Sequence, residues 1–283
     1  MDSIMEQDKR GHKEAAERIM ELARAIHRYQ IKYEREHDGR AIFACVYHKI
    51  TLDRAKDLIA GDKGFDDPDW LTNLTEAFAG RFFKAMDALD AWLKDTASDE
   101  SSTAIEKLYK IVPKPWADVY LTIRGNQSCV LEDLLFAMMA HISHDLPLAL
   151  LEVKLETNGQ SHVADYHRMN DVLAHQTSYI ETAVTHRYNR FLAFLDKIAG
   201  YYGDFFTNYG IRVARSLAWY NAYRLLDPYS EKEARQSITS STAQFIQNVR
   251  YPREWYLKIP IELIRLLTPV QYRWRRKWPK NGN

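Results

Sequence analysis

Cysteine is nearly absent. The 283 residues contain two, Cys45 and Cys129. Neither has a second cysteine at a metal-binding spacing such as Cys-x-x-Cys, so both read as reduced structural thiols. Charge of one sign is also missing in excess. Lys and Arg total 39 against 38 for Asp and Glu. That balance argues against nucleic acid as a partner, because phosphate-binding chains show a basic surplus. The opening stretch, MDSIMEQDKRGHKEAAERIM, has no apolar segment of the secretory type. No apolar run reads as long enough to span a membrane. These absences predict a soluble cytoplasmic protein with no stable membrane insertion, and they leave the oligomeric state open. A P-loop, a dinucleotide-binding glycine fingerprint, His-Glu-x-x-His and a Gly-x-Ser-x-Gly elbow are all missing, which removes the enzyme classes built on them. A Glu-x-x-His on each of two helices, as a di-iron bundle needs, is not found as a pair either.

What the chain has is apolar content, 46% of residues, and aromatic rings, with 17 Tyr and 7 Trp. Apolar residues recur at helical spacing almost throughout. The pattern predicts helices over 14–35 and 41–60, the second broken near Thr51, whose hydroxyl can cap the next segment. GDKGFDDPDW reads as a loop into a long amphipathic helix, and VPKPW as a break. A helix over about 129–156 is expected to kink at Pro147. After the polar turn ETNGQSH, a long helix runs from Asp165 to about residue 199. GYYGDFFTNYG then reads as a glycine-punctuated connection before two or three further helices. The expectation is all-α: one bundle-like domain of roughly eight helices over 1–283. It carries a polar N-terminal extension to about residue 13 and a basic, aromatic tail from about 268.

The segment FAMMAHISHDLPLALLE places titratable groups in a run that should be apolar. On a helical wheel His141 and Asp145 share a face with Leu134, Met138 and Leu148. That face is buried, so Asp145 must meet a cation, a metal or several donors. His144 lies to one side. Pro147 either kinks the helix or ends it, in which case Asp145 caps the next one.

Six of the ten histidines fall between residues 141 and 186: His141, His144, His162, His167, His175 and His186. Asp165, at the start of the next long helix, shares a face with Met169, Val172, Leu173 and Ile180 and also points inward. His167, Asp171 and His175 form an i, i+4, i+8 stripe that can chelate or can simply face solvent. In IRVARSLAWYNAYRLL, Arg215 shares the apolar face of Trp219, Ala222 and Leu226. It is a natural bidentate partner for Asp145 or Asp165.

These residues admit two readings. In one, His141, Asp145, Asp165 and Arg215 are a satisfied polar network in the core. In the other they form a site, since perturbed titratable clusters concentrate at functional centres. The site reading has two forms. His141, Asp145 and Asp165, with His144 or His167, can hold one divalent Zn, Mn or Fe. Without metal, His141 oriented by Asp145 can act as a general base, with Asn170 and Arg215 close by. Either way the expected activity is a hydrolase, lyase or cyclase acting on a small organic substrate. A helical protein that binds a small ligand or haem without turnover is the alternative. The adjacent His144-Asp145 also resembles the metal-holding pair of the HD phosphohydrolases. That family also needs an upstream His at a suitable helix position and a downstream Asp, and candidates such as His48 and Asp196 exist only because His and Asp are common.

AIFACVYHKIT, DPDWLTNLTEAFAGRFFKA, MMAHISHDLPLAL, DYHRMNDVL and ARSLAWYNA occur in the order seen in a mostly bacterial, all-helical family catalogued as a domain of unknown function. The resemblance covers about residues 35–225. Its most specific pieces are Ala-His-Ile-x-x-Asp-Leu-Pro, matched by Ala140, His141, Ile142, Asp145, Leu146 and Pro147, and Asp-x-x-x-x-Asn-x-x-Leu, matched by Asp165, Asn170 and Leu173. The resemblance implies one constellation of His141, Asp145, Asp165 and Asn170. It makes His144 a variable position and brings no activity with it. The tail QYRWRRKWPK, with five basic residues and two tryptophans, suits either an anionic membrane surface or a solvated terminus.

Overall fold

A computed structural model describes residues 2–60, 64–96, 101–125, 128–188 and 192–267, without the side chains of 2–10, 12, 174–186, 192–208, 257, 260 and 267. The chain is all-α, as its periodicity predicts. Helices α1 (Asp2–Arg35) and α2 (Arg40–Ile59) form a hairpin. The turn between them places His37 in the left-handed region, φ 55°. Helix α2 is apolar on every side over Ala41–Tyr47, and a helix of that kind belongs in the interior. It packs against α1, against α6 (Val130–Met139) and against α8 (Val163–Tyr188). No break occurs at Thr51. Its hydroxyl donates back to the Tyr47 carbonyl 2.8 Å away, which satisfies it inside a continuous helix.

Helix α3 (Pro68–Thr96) lies across α1, and α4 (Ser102–Ile111) and α5 (Lys114–Arg124) come next. Helix α4 is capped by Ser101, whose Oγ accepts from the Ala104 amide, and α5 opens with Pro115 in its first turn. Short helices such as these are one reason the structure shows more segments than the roughly eight expected. The other is that α6 passes into a π-helix, Ala140–Asp145, and then into α7 (Leu146–Val153).

The turn after α7 pairs β1 (Glu156–Thr157) with β2 (Gln160–Ser161). Asn158 and Gly159 sit at φ 53° and 77°, the conformation that a two-residue hairpin of this twist requires. Helix α9 (Leu192–Leu226) runs straight through the segment expected to be a connection, so its glycines lie inside a helix. Then come α10 (Glu231–Arg250) and α11 (Trp255–Leu267). The basic tail from residue 268 lies outside the described residues, as do the side chains of His175, His186 and Asp196.

Two apolar clusters form most of the core. One centres on α2, α3, α5 and α6, with Phe43, Tyr47, Phe82, Trp116 and Tyr120. The second joins α3, α7, α8 and α9 through Trp70, Leu150, Tyr166 and Trp219. The run Val130–Val153 is long and apolar enough to cross a membrane by length and composition, contrary to the sequence reading. However, 56% of its most apolar window is buried inside the fold, as in a core helix.

Candidate functional site

The π-helix lies where α6 and α7 meet, and Pro147 explains why it is there. Proline has no N–H to return to Ser143 and its ring crowds that carbonyl. The backbone widens by one residue per turn instead, and the Leu146 amide donates to the His141 carbonyl, five residues back. Such widened turns recur at functional sites. The wider turn carries His144 inward, so His141, His144 and Asp145 are all buried. The wheel of an ordinary α-helix leaves His144 at the side.

Asp145 does not cap α7, as one of the two expected geometries had it. Its carboxylate takes three donors. His141 Nδ1 lies 3.1 Å from Oδ2, His144 Nδ1 lies 2.8 Å from Oδ1, and Trp116 Nε1 donates to Oδ2 at 2.8 Å. Burial opposes the charge, but the hydrogen bonds from the two imidazoles outweigh it and hold the carboxyl at about 2. An ionised carboxylate only accepts, so each Nδ1 carries a hydrogen. Burial lowers the pKa of His141, and its bond to Asp145 only partly offsets this. His141 is therefore a neutral imidazole with its lone pair on Nε2.

That lone pair has no partner. His141 Nε2 is buried without a hydrogen bond, and so is the hydroxyl of Tyr47. Their ring centroids are 4.8 Å apart. Burial, and then the Asp145 charge, push the Tyr47 phenol well up, so it keeps its proton. Phe78 stacks flat on His141 at 3.5 Å, with 7° between the ring planes. Phe43, Phe82 and Trp116 surround the same imidazole at 5.5–6.1 Å. Phe78 is only half-buried, while Phe43, Phe82 and Trp116 are buried. Phe43, Phe82 and Trp116 also line a void of ≈ 10 Å³, about the size of one water molecule. An open groove of ≈ 500 Å³ runs along α3 and α7 past Asn73, Ala77, Gly80 and Glu152.

The other expected site residues lie elsewhere. Asp165 does not join His141. Its two oxygens accept from the amides of Asp66 and Asp67 at 2.8 and 2.7 Å, and Arg168 Nη1 lies 2.9 Å away. It braces the loop that starts α3, where Asp67 in turn accepts from the Trp70 amide. Arg215 pairs with neither aspartate. Its Nε donates to Asn170 Oδ1 at 2.5 Å and its Nη2 to the Tyr166 carbonyl at 3.0 Å, with the guanidinium 4.3 Å from the centre of the Tyr166 ring. His167 Nδ1 contacts Asn170 at 3.3 Å. Its pKa is lowered by burial and then by the Arg215 charge. His162 stacks on Trp70 at 4.6 Å.

The single constellation of the sequence reading is thus two centres. Among the described residues, no three His, Cys, Asp or Glu side chains are placed to share an ion. His141, Asp145, Asp165, His144 and His167 do not converge around one point. Both Nδ1 atoms of the π-helix histidines are already committed to Asp145.

Tyr47, Phe78 and Trp116 are not singled out by the sequence. Tyr47 has a faint signal, since it lies one turn from Phe43 within the family-like stretch AIFACVYHKIT. Trp116 reads only as part of a helix break, and Phe78, though within the family-like stretch DPDWLTNLTEAFAGRFFKA, is not set apart there from its apolar neighbours.

No curated protein and no solved structure matches the chain. The family described as "Family of unknown function (DUF5995)" matches residues 19–252, which include the π-helix, its aromatic enclosure and the Arg215 clamp. The chain belongs to that family.

Proposed function

We propose that the protein is an enzyme acting on a small organic molecule by acid–base chemistry, of hydrolase, lyase or cyclase type. His141 is the base and Tyr47 the hydrogen-bond donor. One observation carries the reading: a buried imidazole and a buried phenol, ring centroids 4.8 Å apart, each with a polar atom that has no partner. An unpaired buried polar group costs about 1–3 kcal/mol, and native proteins retain few of them. A molecule with one proton to give and one oxygen to receive satisfies both.

In this reading Nε2 takes the substrate proton. Asp145 stabilises the imidazolium that forms, because its charge already lies on Nδ1. Tyr47 stays protonated and donates to the oxygen on which negative charge develops. The ring enclosure excludes water and strengthens both interactions. Entry requires Phe78 to turn off the imidazole face. The metal-dependent form has less support, because the donors it needs are apart. Haem has less support too, because Phe43, Phe82 and Trp116 pack with ring centroids 5.5–6.1 Å from that of the imidazole whose Nε2 would have to reach the iron.

The test pairs turnover with stability. A panel of small esters, lactones and hydroxy-carbonyl compounds is assayed with the parent protein, Tyr47→Phe and His141→Asn. Loss of turnover by about 10²–10⁴-fold is expected for His141→Asn. Tyr47→Phe should lose activity while gaining about 1 kcal/mol of stability, since it deletes an unsatisfied hydroxyl. A destabilised Tyr47→Phe, or variants that turn over substrate as the parent does, would overturn the reading.

A further inference from the structure

Helix α11 turns part of a wide apolar surface outward, while Ile261 and Ile264 are half-buried on the rest of it. Trp255, Tyr256, Ile259, Leu263 and Leu266 are 73, 58, 62, 53 and 75% exposed. At about 100° per residue these five fall within an arc of about 100°. A helix that served the core would turn that arc inward. The other side of α11 is already held. Arg265 Nη2 donates to Glu132 Oε1 and to the Arg250 carbonyl, both at 2.7 Å. Glu262, at the margin of the arc, is paired with Arg265. The exposed Leu131 and Leu135 of α6 flank Glu132 in sequence. Residues 271–280, QYRWRRKWPK, then add Arg273, Arg275, Arg276, Lys277 and Lys280, with Trp274 and Trp278.

We propose that the exposed arc of α11 is a docking face for an anionic lipid bilayer, with the basic sequence that follows it in the chain supplying the charge. The apolar arc is the insertion face of a helix lying in the membrane plane, and its Trp and Tyr suit the headgroup boundary. Binding of such a helix grows with its buried apolar area and with its attraction to anionic lipid, and the chain carries both features in succession. Five cations within ten residues of an almost neutral chain match a negative headgroup layer and select it over a zwitterionic one.

Vesicle co-sedimentation of the full chain tests this. Phosphatidylcholine vesicles with and without phosphatidylglycerol are compared, at low and high salt. The protein is expected to sediment with the anionic vesicles only, and less at high salt. The triple variant Arg273→Gln, Arg275→Gln, Arg276→Gln should bind roughly a hundredfold more weakly, at about 1 kcal/mol per cation. The variant Ile259→Ser, Leu266→Ser should also weaken binding. Its changes are at exposed positions, so an unchanged melting temperature is expected to show that it folds. No sedimentation with either vesicle would overturn the proposal. So would binding that the Ile259/Leu266 variant retains in full, which would mean adsorption by charge alone. A concentration-dependent dimer lost in that variant, without vesicle binding, would assign the face to a second copy instead.

Discussion

Asp145 accepts three hydrogen bonds from three side chains, so its removal is felt three ways. An amide in its place accepts at one oxygen only and turns its own N–H toward a donor. Asp145→Asn is expected to cost about 3–5 kcal/mol, measured by urea unfolding. The same carboxylate sets part of the acid sensitivity. Its pKa, about 2 in the fold, lies below the unfolded value near 4. That stabilisation is complete above about pH 4 and is lost as pH falls toward 2. His141 and His48 act earlier. Burial lowers both, His48 to about 4, so the unfolded chain takes up protons first and stability declines as pH drops below about 6.5. His48→Gln should therefore lose less stability than the parent between about pH 7 and pH 5. At this scale the sequence showed that His141 and Asp145 share a buried face. It did not show the partners, because Trp116, Tyr47 and Phe78 come from three other helices. Nor did it separate Asp165 from them. An inward face states only that a side chain leaves solvent, and Asp165 at the start of α8 meets the backbone of residues 66 and 67 rather than α6.

Helix joins are where local patterns gave way to tertiary contacts. A proline inside an apolar run predicts disturbance, and the disturbance is real. Its form, a π-turn that brings a third titratable group inward, is not specified by the proline alone, which can equally kink a helix or end it. Thr51 and the glycines within α9 read as breakers, but a helix packed on its neighbours outweighs about 1 kcal/mol of unfavourable propensity per glycine. Gly39 is the reverse case, a glycine that matters without a positive φ. A Cβ there would lie 2.9 Å from both Asp133 Oδ2 and Ile123 Cγ2. Asp133 is buried and hydrogen-bonded to Ser128, so it has little freedom to yield. Gly39→Ala should cost about 1–3 kcal/mol, read as a lowered denaturation midpoint. It should leave the helical circular dichroism unchanged.

For the molecule as a whole, the all-α class was legible because helical spacing is repeated in almost every segment and one misread segment does not disturb it. The assembly was not, since periodicity identifies apolar faces without pairing them. The family match ends at residue 252, shortly before α11 begins at Trp255. The matched residues thus hold the π-helix and its enclosure but not α11. A chain ending at residue 253 is expected to unfold cooperatively. It should lose about 1.5–3 kcal/mol, because Glu132 gives up its charge-assisted bonds to Arg265. A broad, non-cooperative melt would instead make α11 part of the core.

The burial of Val130–Val153 has a consequence for biosynthesis. As it leaves the ribosome, a segment of this length and hydropathy presents insertion machinery with something close to a transmembrane signal. Asp145 lies near its middle, and an aspartate there costs about 2.5–3.5 kcal/mol on translocon-based scales. The carboxylate that gathers His141, His144 and Trp116 in the finished fold thus also biases the nascent helix against entering the bilayer before its partners arrive.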